Sequence, residues 1–280
     1  MSNIIYAHPG TITINPEKNW GDMISYLVIK YFSKSEKFSP ADLHWYDPGE
    51  KQPWKNGKVI AVGSAMYFTR PDDLVWGAGV LREDSVGVKP KKVYAVRGPL
   101  TRKLMMEQGI DVPEIYGDPA ILFPRIYDPS AVIDKKWKLG IIAHYIDYTD
   151  QNVVDRLNEL ERQGVRIINI TAGVFHFIDE LVSCEMVVSS TLHGLIMADT
   201  YNIPNARIKL TDKITGGDFK YNDYYQSIGR EHKVNVIDTT QPISAQTLLD
   251  LEFNCGHGLD LDLLLENSPW MDPQNKDMFY

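Results

Sequence analysis

Short hydrophobic runs alternate with amphipathic stretches along the whole of the 280-residue chain. Short runs rich in β-branched residues predict strands, and hydrophobic positions that recur every three or four residues predict helices. In the first half, this pattern predicts strands at 4–7, 59–62, 74–76 and 93–96, and helices at 23–32 and 100–108. Such an alternation is typical of βαβ units built around parallel sheets.

The second half repeats the alternation more regularly. It predicts strands at 139–143, 165–170, 186–189 and from Ala206, and helices at 151–163, 175–181 and from His193 onward. Between these halves the pattern lapses into a segment with two prolines and mixed charge, which indicates a domain boundary near Pro129. We therefore expect two Rossmann-like α/β domains, residues 1–128 and 129–280, that face each other across a cleft. Open α/β sheets bind ligands at the carboxyl ends of their strands.

Composition narrows the classes of protein and partner. The chain has 29 basic and 37 acidic side chains and a net charge of −8, which argues against a nucleic-acid binder. Its two cysteines, Cys184 and Cys255, lie outside any C-x-x-C motif, so neither a disulfide framework nor a metal site is expected. The sequence contains no run of 18 apolar residues and no apparent signal peptide. We expect a cytoplasmic protein, with contact to the inner face of the membrane left open.

The segment 186–199 carries the most informative pattern, a hydrophobic strand followed by three hydroxyl residues and a helix. Ser189, Ser190 and Thr191 can cap that helix, and its N-terminus can bind a phosphate or carboxylate. His193 would lie in the first turn, beside the anion. The alternative is a structural cap followed by a packed histidine.

Two further places put cations near the predicted sheet edges. Arg207 and Lys209 lie on the same face of a strand, because strand side chains alternate, and could reach one ligand. Arg97 follows a strand and precedes a helix, and its planar guanidinium suits carboxylate or phosphate. The alternatives are a solvated edge strand guarded by positive charge and a structural arginine at a turn.

Other polar residues also follow predicted strands or precede helices. Asp118 lies in Y-G-D-P, where the alternative is an Asx turn. Asn19 and Asp22 precede the first helix and could hold sugar hydroxyls, although Asp22 could equally cap that helix. His144 ends a strand of the second half and is a second candidate histidine.

Taken together, five short motifs resemble the polysaccharide pyruvyl transferase family. They are N-W-G-D at 19–22, W-G-A-G at 76–79, V-R-G-P-L-T at 96–101, Y-G-D-P-A at 116–120 and S-S-T-L-H-G at 189–194. Their order and their placement at loop ends carry the resemblance. One departure is Thr191, because many members carry an arginine there, in S-x-R-L-H.

The resemblance implies a fold similar to the GT-B glycosyltransferases and transfer of a pyruvyl group from phosphoenolpyruvate to two sugar hydroxyls, without a redox cofactor. The acceptor is expected to be a polysaccharide sugar or its lipid-linked precursor. The first domain would bind the acceptor and the second the donor. The residues expected to act are His193 as general acid and Asp118 as proton acceptor, with Arg97, Ser189, Ser190, Thr191, Arg207 and Lys209 at the donor, and Asn19, Asp22 and His144 at the acceptor.

Two alternatives from other classes stay open at this stage. One is a nucleotide-sugar-dependent glycosyltransferase on the same architecture, because a fold does not determine its chemistry. The other is a noncatalytic module that binds anionic glycans.

Overall fold

A computed structural model describes residues 20–34 and 59–279 of the chain, which form two compact units. Of these residues, the first unit comprises 20–34, 59–122, 218–231 and 258–279, and the second comprises 123–217 and 232–257. The chain first passes from the first unit to the second between Leu122 and Phe123, close to the predicted boundary at Pro129. The chain then returns to the first unit twice, whereas the sequence predicted two consecutive domains.

The first unit contains a parallel three-stranded sheet. Its strands lie side by side in the order β1 (Val59–Ile60), β2 (Leu74–Trp76) and β3 (Lys92–Ala95). A parallel bridge between Val96 and Tyr116 extends the sheet beyond β3. The motifs at 76–79, 96–101 and 116–120 therefore follow neighbouring strands at one edge.

The helices of the first unit come from three parts of the sequence. They are α1 (Trp20–Ser33), α2 (Pro99–Glu107), α6 (Phe219–Ser227), α8 (Leu261–Glu266) and α9 (Lys276–Phe279). The C-terminal part of the chain packs on this sheet: the indole nitrogen of Trp76 donates to the Leu264 carbonyl at 2.9 Å. The rings of Trp76 and Trp270 meet edge to face at 4.7 Å.

The second unit is built on a parallel five-stranded sheet. Its strands, in spatial order, are β5 (Arg166–Ile167), β4 (Trp137–Ile142), β6 (Cys184–Ser189), β7 (Asn205–Lys209) and β8 (Asn235–Val236). Most residues of β4, β6 and β7 are buried, as expected for a parallel sheet with helices on its faces.

Four helices accompany this sheet: α3 (Gln151–Arg162), α4 (Val174–Val182), α5 (Leu192–Thr200) and α7 (Ala245–Leu249). In α3, Val153, Leu157 and Leu160 recur at helical spacing and pack on one core with Ile141 and Val188 of the sheet. Burial of such a stripe is what converts the amphipathic pattern into a stable helix.

The α/β class with parallel sheets is confirmed. Every described element that the sequence predicted is present, with ends that differ by a few residues, and the predicted strand at 4–7 lies outside the described residues. The similarity to GT-B glycosyltransferases and the facing of two domains across a cleft stay predictions.

Candidate functional site

The carboxyl ends of three strands meet at one edge of the second unit. In the parallel register, Ile142 of β4 lies beside Ser189 of β6, and Ser189 lies beside Arg207 of β7. The residues that follow these strands are therefore neighbours, although they are far apart in sequence. His144, Ser190 and Thr211 all lie in these strand-end loops.

The turn from Ser189 to Thr191 joins β6 to α5 and is held by its own hydroxyl groups. The Thr191 side chain is the N-cap of α5, where its Oγ1 accepts from the Gly194 N–H at 2.8 Å. The Thr191 N–H donates to Ser189 Oγ at 3.0 Å. Of the three predicted capping hydroxyls, Thr191 makes the cap, while Ser189 braces the turn.

Gly194 explains the last letter of the S-S-T-L-H-G motif. A Cβ at this position would lie 2.3 Å from Ser189 Oγ and 2.7 Å from Thr191 Oγ1. Only glycine lets the first turn of α5 pack so closely on the capping hydroxyls. The N-terminus of the helix is therefore fixed against the sheet edge, with the positive end of its dipole towards that edge.

His193 is the second residue of α5 and is partly exposed. The structure thus places it in the first helical turn, as the sequence predicted. Its proposed action as an acid stays a prediction.

Arg207 and Lys209 lie on β7, which is an interior strand between β6 and β8. The alternative of a solvated edge strand is therefore wrong. Arg207 is only 5% exposed, contacts His232 and lies directly beside Ser189 in the register. Lys209 is more exposed and pairs with Asp212. Of the two cations, Arg207 is the one next to the Ser189 turn.

The loop after β4 holds His144 against the same edge. Its backbone N–H donates to Ser190 Oγ at 2.9 Å, and its ring Nδ1 accepts from the Ile146 N–H at 3.2 Å. An accepting Nδ1 leaves the hydrogen of a neutral ring on Nε2. The ring packs on Tyr145 with 4.4 Å between centroids. The predicted role of His144 in binding the acceptor is not tested by these contacts.

Asp147 belongs to the same loop and was missed by the sequence analysis. Its carboxylate is fully buried and accepts from the hydroxyls of Ser190, at 2.7 Å, and Thr211, at 2.6 Å. Burial raises the pKa of Asp147, although these hydrogen bonds and the charge of Lys213 counteract the rise. The available signal was an acidic residue just after a buried strand, three positions beyond His144.

Arg97 has a different environment from the one that its sequence position predicted. Its guanidinium, with no exposed surface, bonds to Asp223 at 2.9 Å, to Ser64 Oγ at 2.6 Å and to the Val80 carbonyl at 2.7 Å. These are the contacts of the alternative, a structural arginine. Each of the three guanidinium nitrogens therefore already has a protein partner. Its role as a donor clamp stays a prediction.

Asp118 likewise makes the contacts of its structural alternative. One carboxylate oxygen accepts from the Ala120 N–H at 3.1 Å, which is an Asx turn, and the other accepts from the Gly63 N–H at 2.9 Å. The residue is fully buried. A buried carboxylate that holds two backbone groups is poorly suited to take a proton from a sugar, and that predicted role is untested.

Of the two remaining acceptor candidates, only the backbone of Asp22 belongs to the described part of the chain. Asn19 lies outside the described residues, and Asp22 is on α1 with its side chain also outside the description. Across the described ranges, no three His, Cys, Asp or Glu side chains are placed to hold a metal ion. None of the helices in those ranges is long and apolar enough to span a bilayer.

Polar motifs at the carboxyl edges of parallel sheets place the protein among the open-sheet α/β proteins, which bind ligands at that edge. The family model for polysaccharide pyruvyl transferases matches residues 19–209, which is more than half of the chain. The protein therefore belongs to the polysaccharide pyruvyl transferase family.

Two relatives extend this comparison. Uncharacterized protein L143 of Acanthamoeba polyphaga mimivirus is 28% identical over 172 residues, covering 61% of this chain and 60% of the relative. Succinoglycan biosynthesis protein ExoV of Rhizobium meliloti (strain 1021) is 24% identical over 200 residues, covering 65% of this chain and 57% of the relative. The matches thus span only about three fifths of each relative's length. No solved structure matches the chain significantly.

Proposed function

We propose that the protein transfers the pyruvyl group of phosphoenolpyruvate onto two hydroxyls of a sugar, forms a cyclic ketal and releases phosphate. The sugar would belong to a polysaccharide or to its lipid-linked precursor. The observation that carries the proposal is the S-S-T-L-H-G motif of the family, folded as a capped helix start beside Arg207 at a parallel sheet edge.

The donor brings nearly three negative charges on a small body, so its site needs positive groups and N–H donors. The N-terminus of α5 offers the positive end of a helix dipole. Arg207, on the neighbouring strand, supplies the cation where this chain has Thr191 instead of an arginine. Ser189 and Ser190 line the turn between them, and Lys209 adds charge two residues further along β7.

The chemistry needs one proton transfer to carbon and two carbon–oxygen bond formations. His193 would protonate the methylene carbon of the donor, which becomes a methyl group and leaves an oxocarbenium-like C2. A first sugar hydroxyl attacks C2, and its proton returns to the imidazole of His193, which is neutral after the first transfer. The second hydroxyl then replaces the phosphate, whose C2–oxygen bond breaks, and its proton leaves with the phosphate. The products are a ketal and inorganic phosphate, and no electrons are exchanged with a cofactor.

His193→Ala tests the general acid. General acid catalysis contributes about 10²- to 10⁴-fold in rate, so we expect kcat for phosphate release to fall by that factor. His176→Ala is the matched control, because His176 is exposed on α4 of the same unit, and it should keep wild-type turnover. Near-normal turnover of His193→Ala would remove His193 from the mechanism.

The reaction itself is tested by phosphate release from phosphoenolpyruvate against a panel of sugar acceptors. Acceptor-dependent release is expected. Thermal stabilisation by phosphoenolpyruvate but not by nucleoside diphosphates should accompany it, because a ligand stabilises the state it binds. Stabilisation by nucleoside diphosphates alone would favour a glycosyltransferase. Binding of anionic glycans without phosphate release from any acceptor would favour a noncatalytic module.

A further inference from the structure

Three strand-end loops of the second unit converge on one buried carboxylate. We call Asp147, His144, Ser190 and Thr211 the strand-end cluster. Asp147 Oδ2 accepts from Ser190 Oγ at 2.7 Å and from the His144 N–H at 3.2 Å, and Oδ1 accepts from Thr211 Oγ1 at 2.6 Å. The loops after β4, β6 and β7 are thereby joined through a single side chain.

A second contact ties two of these loops together. The ammonium of Lys213, two residues after Thr211, pairs with Asp150 at 3.1 Å and reaches Thr149 Oγ1 at 3.4 Å. Asp150 in turn caps α3 by accepting from the Asn152 N–H at 3.1 Å. The loop after β7 is therefore fixed at two points to the loop after β4.

The bond to Ser190 connects this cluster to the start of α5. Ser190 immediately precedes Thr191, the N-cap, and its hydroxyl both donates to Asp147 and accepts from the His144 N–H. Loss of the carboxylate would remove the acceptor that the Ser190 and Thr211 hydroxyls share, whereas the His144 N–H would keep its bond to Ser190 Oγ. Unsatisfied buried donors are costly, so the three loops would move to find other partners.

We infer that Asp147 is a positioning residue that holds the Ser189–Thr191 turn, and with it His193, in place relative to His144. The expected effect on catalysis rests on the proposed function, whereas the role of Asp147 in holding the turn in place does not. Misplacement of a reacting group by about 1 Å costs on the order of 10²-fold in rate. We therefore expect Asp147→Ala to lower kcat by roughly ten- to a hundredfold, with a smaller change in KM for phosphoenolpyruvate.

Thr211 supplies the conservative pair of variants. Thr211→Val keeps the shape but removes the hydroxyl that donates to Asp147, whereas Thr211→Ser keeps the hydroxyl. Thr211→Val should reproduce part of the loss in kcat, and Thr211→Ser should restore it. If Asp147→Ala does not fold, this pair and Asp147→Asn still test the inference.

Asp199→Asn is the matched control for a merely structural role. Asp199 is a buried carboxylate in the last turn of α5 and accepts from Asn205 Nδ2 at 2.7 Å. It lies seven residues after the start of the helix, about 10 Å along its axis. Its replacement should lower the melting temperature without changing kcat, when activity is measured well below unfolding.

Amide hydrogen exchange of the ligand-free protein tests the positioning of the loops separately from its consequence for catalysis. Asp147→Ala should speed exchange about tenfold or more in peptides that cover residues 190–195, and Asp199→Asn should not. Unchanged exchange there, or unchanged kcat in an active enzyme, would overturn the positioning role. If the wild type releases no phosphate with any acceptor, the proposed function fails, and exchange alone decides about Asp147.

Discussion

The buried ion pair between Arg97 and Asp223 makes the role of Arg97 measurable. Both side chains have no exposed surface, and their Nε to Oδ2 distance is 2.9 Å. Asp223 also accepts from the N–H and the hydroxyl of Thr101, at 2.8 and 2.7 Å. Removal of one partner of such a pair costs about 3–5 kcal/mol, because it leaves a buried charge without compensation.

Arg97→Met is the appropriate change, since methionine fills most of the space without charge. We expect the free energy of unfolding to fall by about 3–5 kcal/mol. For an m-value of about 3 kcal/mol per molar, that loss moves the urea midpoint down by roughly 1–1.7 M. Urea unfolding followed by tryptophan fluorescence and circular dichroism measures it. Tryptophans 20, 76 and 270 lie in the same unit as Arg97.

Two further variants sharpen the measurement. Combining Arg97→Met with Asp223→Leu removes both charges, so the double variant should be more stable than the sum of the single changes predicts, by about 1–3 kcal/mol. Arg82→Met is the exposed control: Arg82 and Asp84 form a pair with side chains 55% and 75% exposed, so its loss should stay within about 0.5 kcal/mol.

The result also decides between two functions of Arg97. An Arg97→Met variant with the wild-type urea midpoint and a strongly raised KM for phosphoenolpyruvate would refute the structural reasoning and restore the predicted donor clamp. Gly79 is consistent with the structural role, because a Cβ there would lie 2.2 Å from the guanidinium carbon. The second glycine of W-G-A-G thus makes room for the guanidinium of Arg97.

Two other predictions concern acid stability and thiol reactivity. Hydrogen bonds from Lys92 and Tyr94 hold the pKa of Asp272 at about 2. The ionised carboxylate therefore adds about 1–2 kcal/mol to the free energy of unfolding, and this contribution is complete above about pH 4 and is lost as the pH falls through 2. Acid titration of stability should therefore show the gap between wild type and Asp272→Asn closing over that range; a constant gap would contradict the assignment. Burial raises the pKa of Cys184 to about 12, whereas Cys255 is exposed. A thiol reagent at pH 8 should label Cys255 in the native protein and both cysteines in urea, and rapid native labelling of Cys184 would contradict its burial.

The local pattern of the sequence was sufficient for the sheets but not for the path of the chain between units. Hydrophobic periodicity predicted β2 at 74–76 and α3 at 151–163, because burial of a strand or of a helix stripe leaves a local signature. The sequence analysis did not predict helix α6. The side chain of Asp223 on this helix accepts a hydrogen bond from Arg97, which lies 126 residues earlier in the sequence. Such a return of the chain to an earlier unit leaves no periodic signal.

The candidate site was predictable to the extent that it follows from strand ends. Placement of Ser189 beside Arg207 follows from parallel strands whose carboxyl ends align, and the structure has that register. Asp147 was not predictable in the same way. Its partners Ser190 and Thr211 lie 43 and 64 residues away in the sequence. No sequence pattern indicates which carboxylate will accept a hydrogen bond from a hydroxyl in a loop.

The two units use buried carboxylates at their sheet edges in different ways. In the first unit, Asp223 is balanced by the full charge of Arg97 and by two bonds from Thr101. In the second, Asp147 has only neutral donors in direct contact, and Lys213 lowers its pKa through charge alone. The hydroxyls of Ser190 and Thr211 therefore have two consequences at once: they fix the loops, and they satisfy a buried carboxylate that has no cation among its direct partners in the described part of the chain.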